Sequence, residues 1–218
     1  MNRKNFFLHT GIIGLYFLWG GSAYISQMYK LGNFLKPGQV DIIAMRWNYL
    51  AQALGIILCS LFLWYFPKLA YRRIVYAGAM GFSAVVITAM LVSNNCGIII
   101  FSGIIMNLLL GVLAAYQFSM LAAHVPQQER GRVFGFAYAA GSIGTYLISL
   151  LSGGCLLASS NVFILYIAFI ALNIVLISLP QNLSFFEQDE KSVIKAFPEK
   201  RVMLLFFTVF LLMLLLNS

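Results

Sequence analysis

Polar side chains recur at helical spacing inside three of the long apolar stretches of the sequence. In the first stretch, Tyr16, Gly20, Ala23 and Gln27 share one helical face, and Trp19 lies beside it. Hydroxyl, amide and indole groups can bind a small polar solute, and they can equally hydrogen-bond neighbouring helices inside a bilayer. The spacing therefore marks a face turned away from lipid, and both roles stay open.

Two later stretches repeat this pattern. Asn107, Gly111 and Ala114 share one face, with Gln117 at its edge. A further face carries hydroxyl groups at i, i+4, i+7 and i+11: Tyr138, Ser142, Thr145 and Ser149. The third and sixth apolar stretches offer little polarity. We therefore expect helices one, two, four and five to surround a shared interior, and helices three and six to meet more lipid.

Arg46 is the sharpest single candidate, because it lies within the second apolar stretch. A guanidinium at the bilayer centre costs about 2.5–3.5 kcal/mol on insertion scales. Asp41 lies about a turn and a half away, so Arg46 either pairs with it or reaches the headgroups. The functional alternative is contact with an anionic substrate that enters from outside.

Residue types for catalysis or metal binding are scarce. His9 and His124 are far apart in sequence, and Cys59, Cys96 and Cys155 have no metal-ligand spacing. There is no nucleophile elbow, no phosphate-binding glycine loop and no acid pair within the apolar stretches. We therefore expect no enzymatic activity, no cofactor and no metal. Cys96 and Cys155 both fall in predicted outer loops, as free thiols or as a disulfide.

The composition places these polar faces in a membrane. Of 218 residues, 61% are hydrophobic and 9% are charged, whereas soluble domains average about 25% charged residues. Lipid cannot hydrogen-bond free backbone groups, so the long apolar stretches must be helices. The net charge of +8 comes from Lys and Arg dispersed among loops. This dispersal favours orientation in a bilayer over nucleic-acid binding.

Apolar length and turn residues predict an all-α polytopic bundle of six spanning helices within residues 1–180. Their approximate bounds are Phe6–Met28, Asp41–Phe66, Ile74–Val92, Ile98–Ala123, Arg132–Leu151 and Val162–Leu179. The first run is too long for a signal peptide and no small-residue cleavage site follows it, so we predict a retained helix.

Basic residues sort to one side of this alternation. Only Lys30 and Lys36 fall on the far side, and Arg46 lies within a helix. The other eleven of the 14 lie on the side of the N-terminus: Arg3, Lys4, Lys68, Arg72, Arg73, Arg130, Arg132, Lys191, Lys195, Lys200 and Arg201. Because Lys and Arg concentrate in cytoplasmic loops, we predict a cytoplasmic N-terminus in the cell (inner) membrane.

The remainder of the chain divides at about residue 201. Residues 181–201 are hydrophilic, with Ser184 and Glu187 at capping-box spacing, and form either a helix on the cytoplasmic membrane surface or a solvated linker. Residues 202–218 begin a partial seventh helix, whose 15 apolar residues reach roughly 22 Å into a ~30 Å hydrocarbon core. We expect a chain that is cut short or completed by a separate polypeptide.

The segment VPQQERGRVFG, between the fourth and fifth helices, is predicted to be a charged hairpin. Its arginines, Arg130 and Arg132, must lie in water or at headgroups, and a simple solvated loop explains them as well. Together with Gly111, this segment is similar to the "RxxxG … ERGRxxG" stretch of the major facilitator superfamily. Six helices, a linker and the start of a seventh also resemble the N-terminal half of such a transporter.

The sequence departs from this family at three places. The family's second loop typically reads GxxxDRxGRR. Here it reads LWYFPKLAYRR, so Lys68, Arg72 and Arg73 match basic positions while Pro67 stands at the acidic one. Asn107 stands where the family often has Arg, and Gly144 is followed by Thr rather than Pro. These departures weaken a drug/proton antiporter interpretation in particular.

The resemblance implies transport of a small solute by alternating access, with a C-terminal half or a second copy required. The alternative is a non-transporting membrane interaction or regulatory protein derived from a transporter. Candidate translocation residues are Tyr16, Trp19, Gln27, Arg46, Asn107, Gln117, Tyr138, Ser142 and Thr145. Candidate cytoplasmic gate residues are Lys68, Arg72, Arg73, Arg130 and Arg132. The expected partners are the lipid bilayer and a small solute of unknown identity.

Overall fold

Helices account for the regular structure of the residues described here. The structure is a computed structural model, and it describes residues 3–66, 72–151 and 160–179. The α-helices in these ranges are α1 (Arg3–Gly32), α2 (Pro37–Ile42), α3 (Tyr49–Tyr65), α4 (Arg73–Val92), α5 (Cys96–His124), α6 (Gln127–Leu151) and α7 (Phe163–Ser178). A π-helical turn, Ile43–Asn48, joins α2 to α3, and a 3₁₀ turn, Ser160–Val162, precedes α7.

Within the part of the chain that the structure describes, five helical stretches are long and apolar enough to cross a membrane. One of them, Pro37–Tyr65, consists of α2, the π-helical turn and α3. The sixth, α7, is apolar but has only 16 residues. At a rise of 1.5 Å per residue it is about 24 Å long, less than a ~30 Å hydrocarbon core. The predicted all-α polytopic fold is confirmed, with a shortened sixth helix.

The outer surface of the bundle is apolar. Along α3, for example, Ile57, Leu58 and Trp64 are each more than half exposed. Such a surface would cause aggregation in water but is readily solvated by lipid chains. The exposure therefore agrees with the composition, and it shows which faces the neighbouring helices leave uncovered.

The central element is α1, which packs against α6, α7 and α5, while α5 also packs against α3 and α4. Hydrogen bonds tie α7 to α1. The hydroxyls of Ser26 and Tyr166 are 2.7 Å apart, and the side-chain amide of Asn173 donates to the Ile12 carbonyl at 3.0 Å. Because α1 contacts several helices, its polar side chains are distributed among different partners.

Glycines set the closest helix contacts. A Cβ added to Gly111 would lie 2.0 Å from the Gln52 carbonyl oxygen, and one added to Gly55 would lie 2.1 Å from that of Leu108. The backbones of α3 and α5 therefore touch, as small residues allow in membrane bundles. Between α1 and α6, a Cβ on Gly141 would lie 2.7 Å from the Gly14 carbonyl oxygen.

Two features differ from the sequence-based expectation. The hairpin prediction is wrong, because α6 begins at Gln127 and places Glu129 and Arg130 in its first turn. Only Val125 and Pro126 separate it from α5, since a proline that lacks an N–H is readily accommodated just before a helix. The first helix also extends further than predicted, to Gly32.

Lys30 is therefore part of α1 rather than of an outer loop. Its side chain is only 6% exposed, and its ammonium donates to the Leu91 carbonyl near the end of α4. A cation in this position complements the partial negative charge of the free carbonyls at a helix C-terminus. The predicted linker and seventh helix, together with Lys68 and Cys155, lie outside the described residues.

Candidate functional site

A cavity of about 510 Å³ opens between α1, α3, α5 and α6. These are the four spans whose polar faces were expected to share an interior. The lining residues are Tyr16, Phe17, Gly20, Gly21, Tyr24, Ile25, Tyr49, Gln52, Asn107, Leu110, Tyr138, Ser142, Thr145, Tyr146 and Ser149. The volume falls within the range of small-molecule sites, roughly 300–1,000 Å³.

Hydrogen bonds between helices fix part of this lining. The Tyr16 hydroxyl donates to the Leu110 carbonyl at 2.7 Å, which joins α1 to α5. The Thr145 hydroxyl donates to the Leu18 carbonyl at 3.2 Å, which joins α6 to α1. Asn107 donates to the Gly103 carbonyl of its own helix at 2.9 Å. These three polar groups therefore stabilise the wall of the cavity as well as facing its interior.

Aromatic rings form much of the remaining lining. Tyr24 and Tyr49 lie with ring centroids 6.2 Å apart, and Phe17 meets Tyr138 edge to face at 5.0 Å. Tyr138 and Tyr146 are 53% and 63% exposed, so their rings are accessible. Aromatic faces of this kind can stack on a flat or apolar part of a bound solute.

Nearer the N-terminal end of α1, the space narrows to a pocket of about 10 Å³. Ile13, Val133 and Ala137 are buried in one apolar cluster between α1 and α6. Beside them, Phe134 contacts Phe17 and Phe118 with ring centroids 5.7 and 5.4 Å apart. The cavity is thus closed by side chains in this direction.

Several predicted site residues lie away from the cavity. Trp19 is fully buried, and its indole nitrogen has no hydrogen-bond partner in the described residues. Gln27 is also fully buried and accepts a 2.9 Å hydrogen bond from Asn48. Gln117 donates to the Tyr76 hydroxyl. These three side chains are buried between helices, and none of them lines the cavity.

Arg46 lies in the π-helical turn, is exposed, and does not line the cavity. It is flanked by Met45 and Trp47, which are 64% and 56% exposed. A π-helical turn inserts an extra residue into a helix and so changes which side chains share a face. The simple α-helical periodicity used for the sequence prediction therefore fails at this point of the second span.

Three of the candidate gate arginines contact helix ends. Arg130 donates to the carbonyls of Val125 and Ala122 at 2.9 and 2.6 Å, near the end of α5. Arg73 donates to the Leu179 carbonyl at 2.9 Å, just after α7. The Arg132 guanidinium lies 5.5 Å from the centre of the Phe6 ring. Arg72 is exposed, and its carbonyl accepts a hydrogen bond from Tyr116.

Among the lining residues with polar side chains, the sequence prediction missed four, Tyr24, Tyr49, Gln52 and Tyr146. Tyr24 follows Tyr16 by eight residues, so helical spacing could have placed both on one face. Tyr146 is adjacent to the predicted Thr145. By contrast, Tyr49 and Gln52 follow the π-helical turn, and their spacing in the sequence does not indicate that they line the cavity.

The sequence also gave no sign that His9 and His124 meet. Their ring centroids lie 5.8 Å apart, where the start of α1 reaches the end of α5. The Nδ1–H of His124 donates to the Met120 carbonyl at 3.0 Å. Burial, together with the charge of Arg73, lowers the pKa of His124, although the Met120 carbonyl opposes this shift.

The fold and the cavity define a class of protein, a multi-pass α-helical membrane protein with a solute-sized cavity among its helices. The sequence model of the Major Facilitator Superfamily matches residues 8–218, and the chain belongs to this family. The predicted membership is confirmed. The family transports small solutes across membranes and is generally not enzymatic. No curated protein and no solved structure matched the chain significantly.

Proposed function

We propose that this chain forms the N-terminal half of a secondary transporter, which moves a small solute by alternating access. The observation that carries the proposal is the cavity of about 510 Å³ lined by α1, α3, α5 and α6. Transporters of this kind bind their substrate near the bilayer midplane, between two repeats. One six-helix unit would supply one wall of that site.

The closed and open ends of the cavity support alternating access. Phe17 and Phe134 fill the side nearer the N-terminus, while the lining continues to Tyr24 and Ser149 on the other side. With the N-terminus in the cytoplasm, as the distribution of Lys and Arg indicates, the cavity faces outward. Single-cysteine labelling tests this orientation at two exposed positions: a probe at Lys36 should react from outside the cell, and one at Arg132 only from the cytoplasmic side.

The gate arginines have a structural role in this proposal. Arg130 satisfies two carbonyls near the end of α5, and Arg73 satisfies one after α7. Such contacts complement the negative end of a helix. They hold the cytoplasmic helix ends together in the outward-facing state, and they must separate when the cytoplasmic side opens.

The remainder of the site comes from a second six-helix unit, either a C-terminal half or a second copy. Reconstitution into liposomes tests this. The isolated chain should give no saturable solute flux, and co-expression with a complementary half should restore flux. Robust saturable flux from the chain as a monomer would contradict the half-transporter proposal.

The second candidate is a non-transporting interaction protein derived from a transporter. Pro67 in place of the family's acidic loop residue favours it, as does Asn107 in place of Arg, since Asn107 bonds its own helix at the Gly103 carbonyl. If every second unit supplied fails to restore flux, while the chain binds a membrane protein stably, this second function is the correct one.

A further inference from the structure

Among the residues that the structure describes, none that lines the cavity is Asp, Glu, Lys, Arg or His. An ion that leaves water for such a site loses its hydration and gains no countercharge, which costs several kcal/mol. The second span contains two charged residues, Asp41 and Arg46; both are exposed and neither lines the cavity, although the charge of Asp41 acts on Tyr24. This wall therefore provides nothing that compensates either a carboxylate or an ammonium group.

Tyrosine rings from three helices line the same cavity. Tyr24 and Tyr49 come from α1 and α3, with ring centroids 6.2 Å apart. Tyr138 and Tyr146 come from α6, two turns apart on one face, and more than half of each is exposed. A flat or apolar molecular face can stack on these rings without any charge of its own.

Neutral hydrogen-bonding groups lie among the rings. Ser142 is exposed on α6 between the two tyrosines, and Gln52 lines the cavity from α3. Hydroxyl and primary amide groups both donate and accept hydrogen bonds, so they suit ligands that carry hydroxyls and amides. They do not discriminate strongly between such ligands, because they can reorient.

We propose that the cavity binds an uncharged solute with one flat or apolar face and several hydroxyl or amide groups. Nucleosides and simple glycosides both have this chemistry. The proposal rests on the transport function proposed above and adds the class of substrate. Organic cations are the main competitor, because tyrosine faces attract them by about 0.5–2 kcal/mol. That attraction does not replace a lost hydration shell.

Saturation-transfer NMR on the full chain in lipid nanodiscs tests the proposal without requiring flux. The neutral probes are uridine and methyl β-glucoside, and their charged counterparts are uridine monophosphate and glucosamine. At least one neutral probe should bind about tenfold more tightly than its charged counterpart. The stronger of the two neutral probes distinguishes a nucleoside site from a glycoside site.

Variants of Tyr146 test whether the saturation-transfer signal comes from binding in the cavity. Tyr146→Ala should weaken binding of the neutral probe, whereas Tyr146→Phe, which keeps the ring, should retain most of it. The control is Tyr65→Ala, since Tyr65 is 75% exposed at the end of α3 and does not line the cavity. The Tyr65→Ala variant should bind the neutral probe as tightly as the unchanged chain does. Circular dichroism should show that all variants are folded.

Two results would overturn this substrate class. One is equal or tighter binding of the phosphate or the ammonium probe. The other is no binding of any of the four probes by folded chain. Neither result decides the transport function, which is measured separately as flux in liposomes. Saturable flux of a charged solute would support the proposed transport function and contradict the proposed class of uncharged substrates.

Discussion

Gly111→Ala should separate two helices that now touch. The added Cβ would lie 2.0 Å from the Gln52 carbonyl oxygen, and 2.9 Å from both the Gln52 carbonyl carbon and the Ile56 nitrogen. All three are backbone atoms, so no side chain can rotate away. Real Cβ atoms essentially never come closer than 3.0 Å, so α3 must withdraw from α5 by about 1 Å at this point.

The expected cost follows from that displacement. A gap of 0.5–1 Å already forfeits about a quarter to a half of each dispersion contact along the interface. Overpacking typically costs about 1–3 kcal/mol, and alanine recovers at most about 1 kcal/mol through helix propensity. We expect the free energy of unfolding to fall by about 1–2 kcal/mol, measured by circular dichroism in mixed detergent micelles.

Gly81→Ala is the matched control, because Gly81 lies within α4 and a Cβ there meets no atom within 4 Å. It should leave stability unchanged or slightly raised. The double variant Gly55→Ala/Gly111→Ala should cost less than the two single changes combined, since one withdrawal of α3 relieves both contacts. Equal stability of the Gly111 and Gly81 variants would refute the close approach of the helices.

Three further changes test other contacts. Asn48→Leu removes the hydrogen bond to buried Gln27, and it should lower the free energy of unfolding by about 0.6–1.7 kcal/mol in the same detergent assay; no loss would show that the pair is dispensable. His124 has a pKa below its ordinary value of 6.5, so the folded chain binds its proton less readily than the unfolded chain does. The thermal midpoint of the chain should therefore fall as the pH drops below about 6.5, and it should fall less steeply in the His124→Gln variant. Identical pH profiles of the two chains would show that His124 does not cause the fall. Arg46→Gln should insert normally and retain uptake of an uncharged solute, whereas abolished uptake of an anion would support the alternative role of Arg46.

Helical periodicity predicts part of the cavity lining where a span is an uninterrupted α-helix. Tyr138, Ser142 and Thr145 were placed on one face from spacing alone, and all three line the cavity. The same reasoning located Tyr16 and Asn107. Once a bilayer fixes the helix axis, a repeat of 3.6 residues determines which side chains share a face. Side chains at the edge of that face, such as Gln117, cannot be assigned this way.

Other features depend on contacts that spacing does not report. The π-helical turn changes which residues of α3 share a face, so the sequence does not predict that Tyr49 and Gln52 line the cavity. Lys30 was assigned to a loop by its charge, but its long side chain reaches the Leu91 carbonyl at the end of α4. The contact between His9 of α1 and His124 of α5 likewise depends on how the two helices are arranged in three dimensions.

The absence of charge from the cavity lining has an electrical consequence. Membrane voltage does work only on charges that it moves, about 2.3 kcal/mol per elementary charge per 100 mV. When an uncharged solute crosses beside this wall, neither the cargo nor the lining transfers charge through the field. We therefore expect that polarising the liposomes will leave this part of the cycle unaffected, and that any voltage sensitivity originates in residues elsewhere.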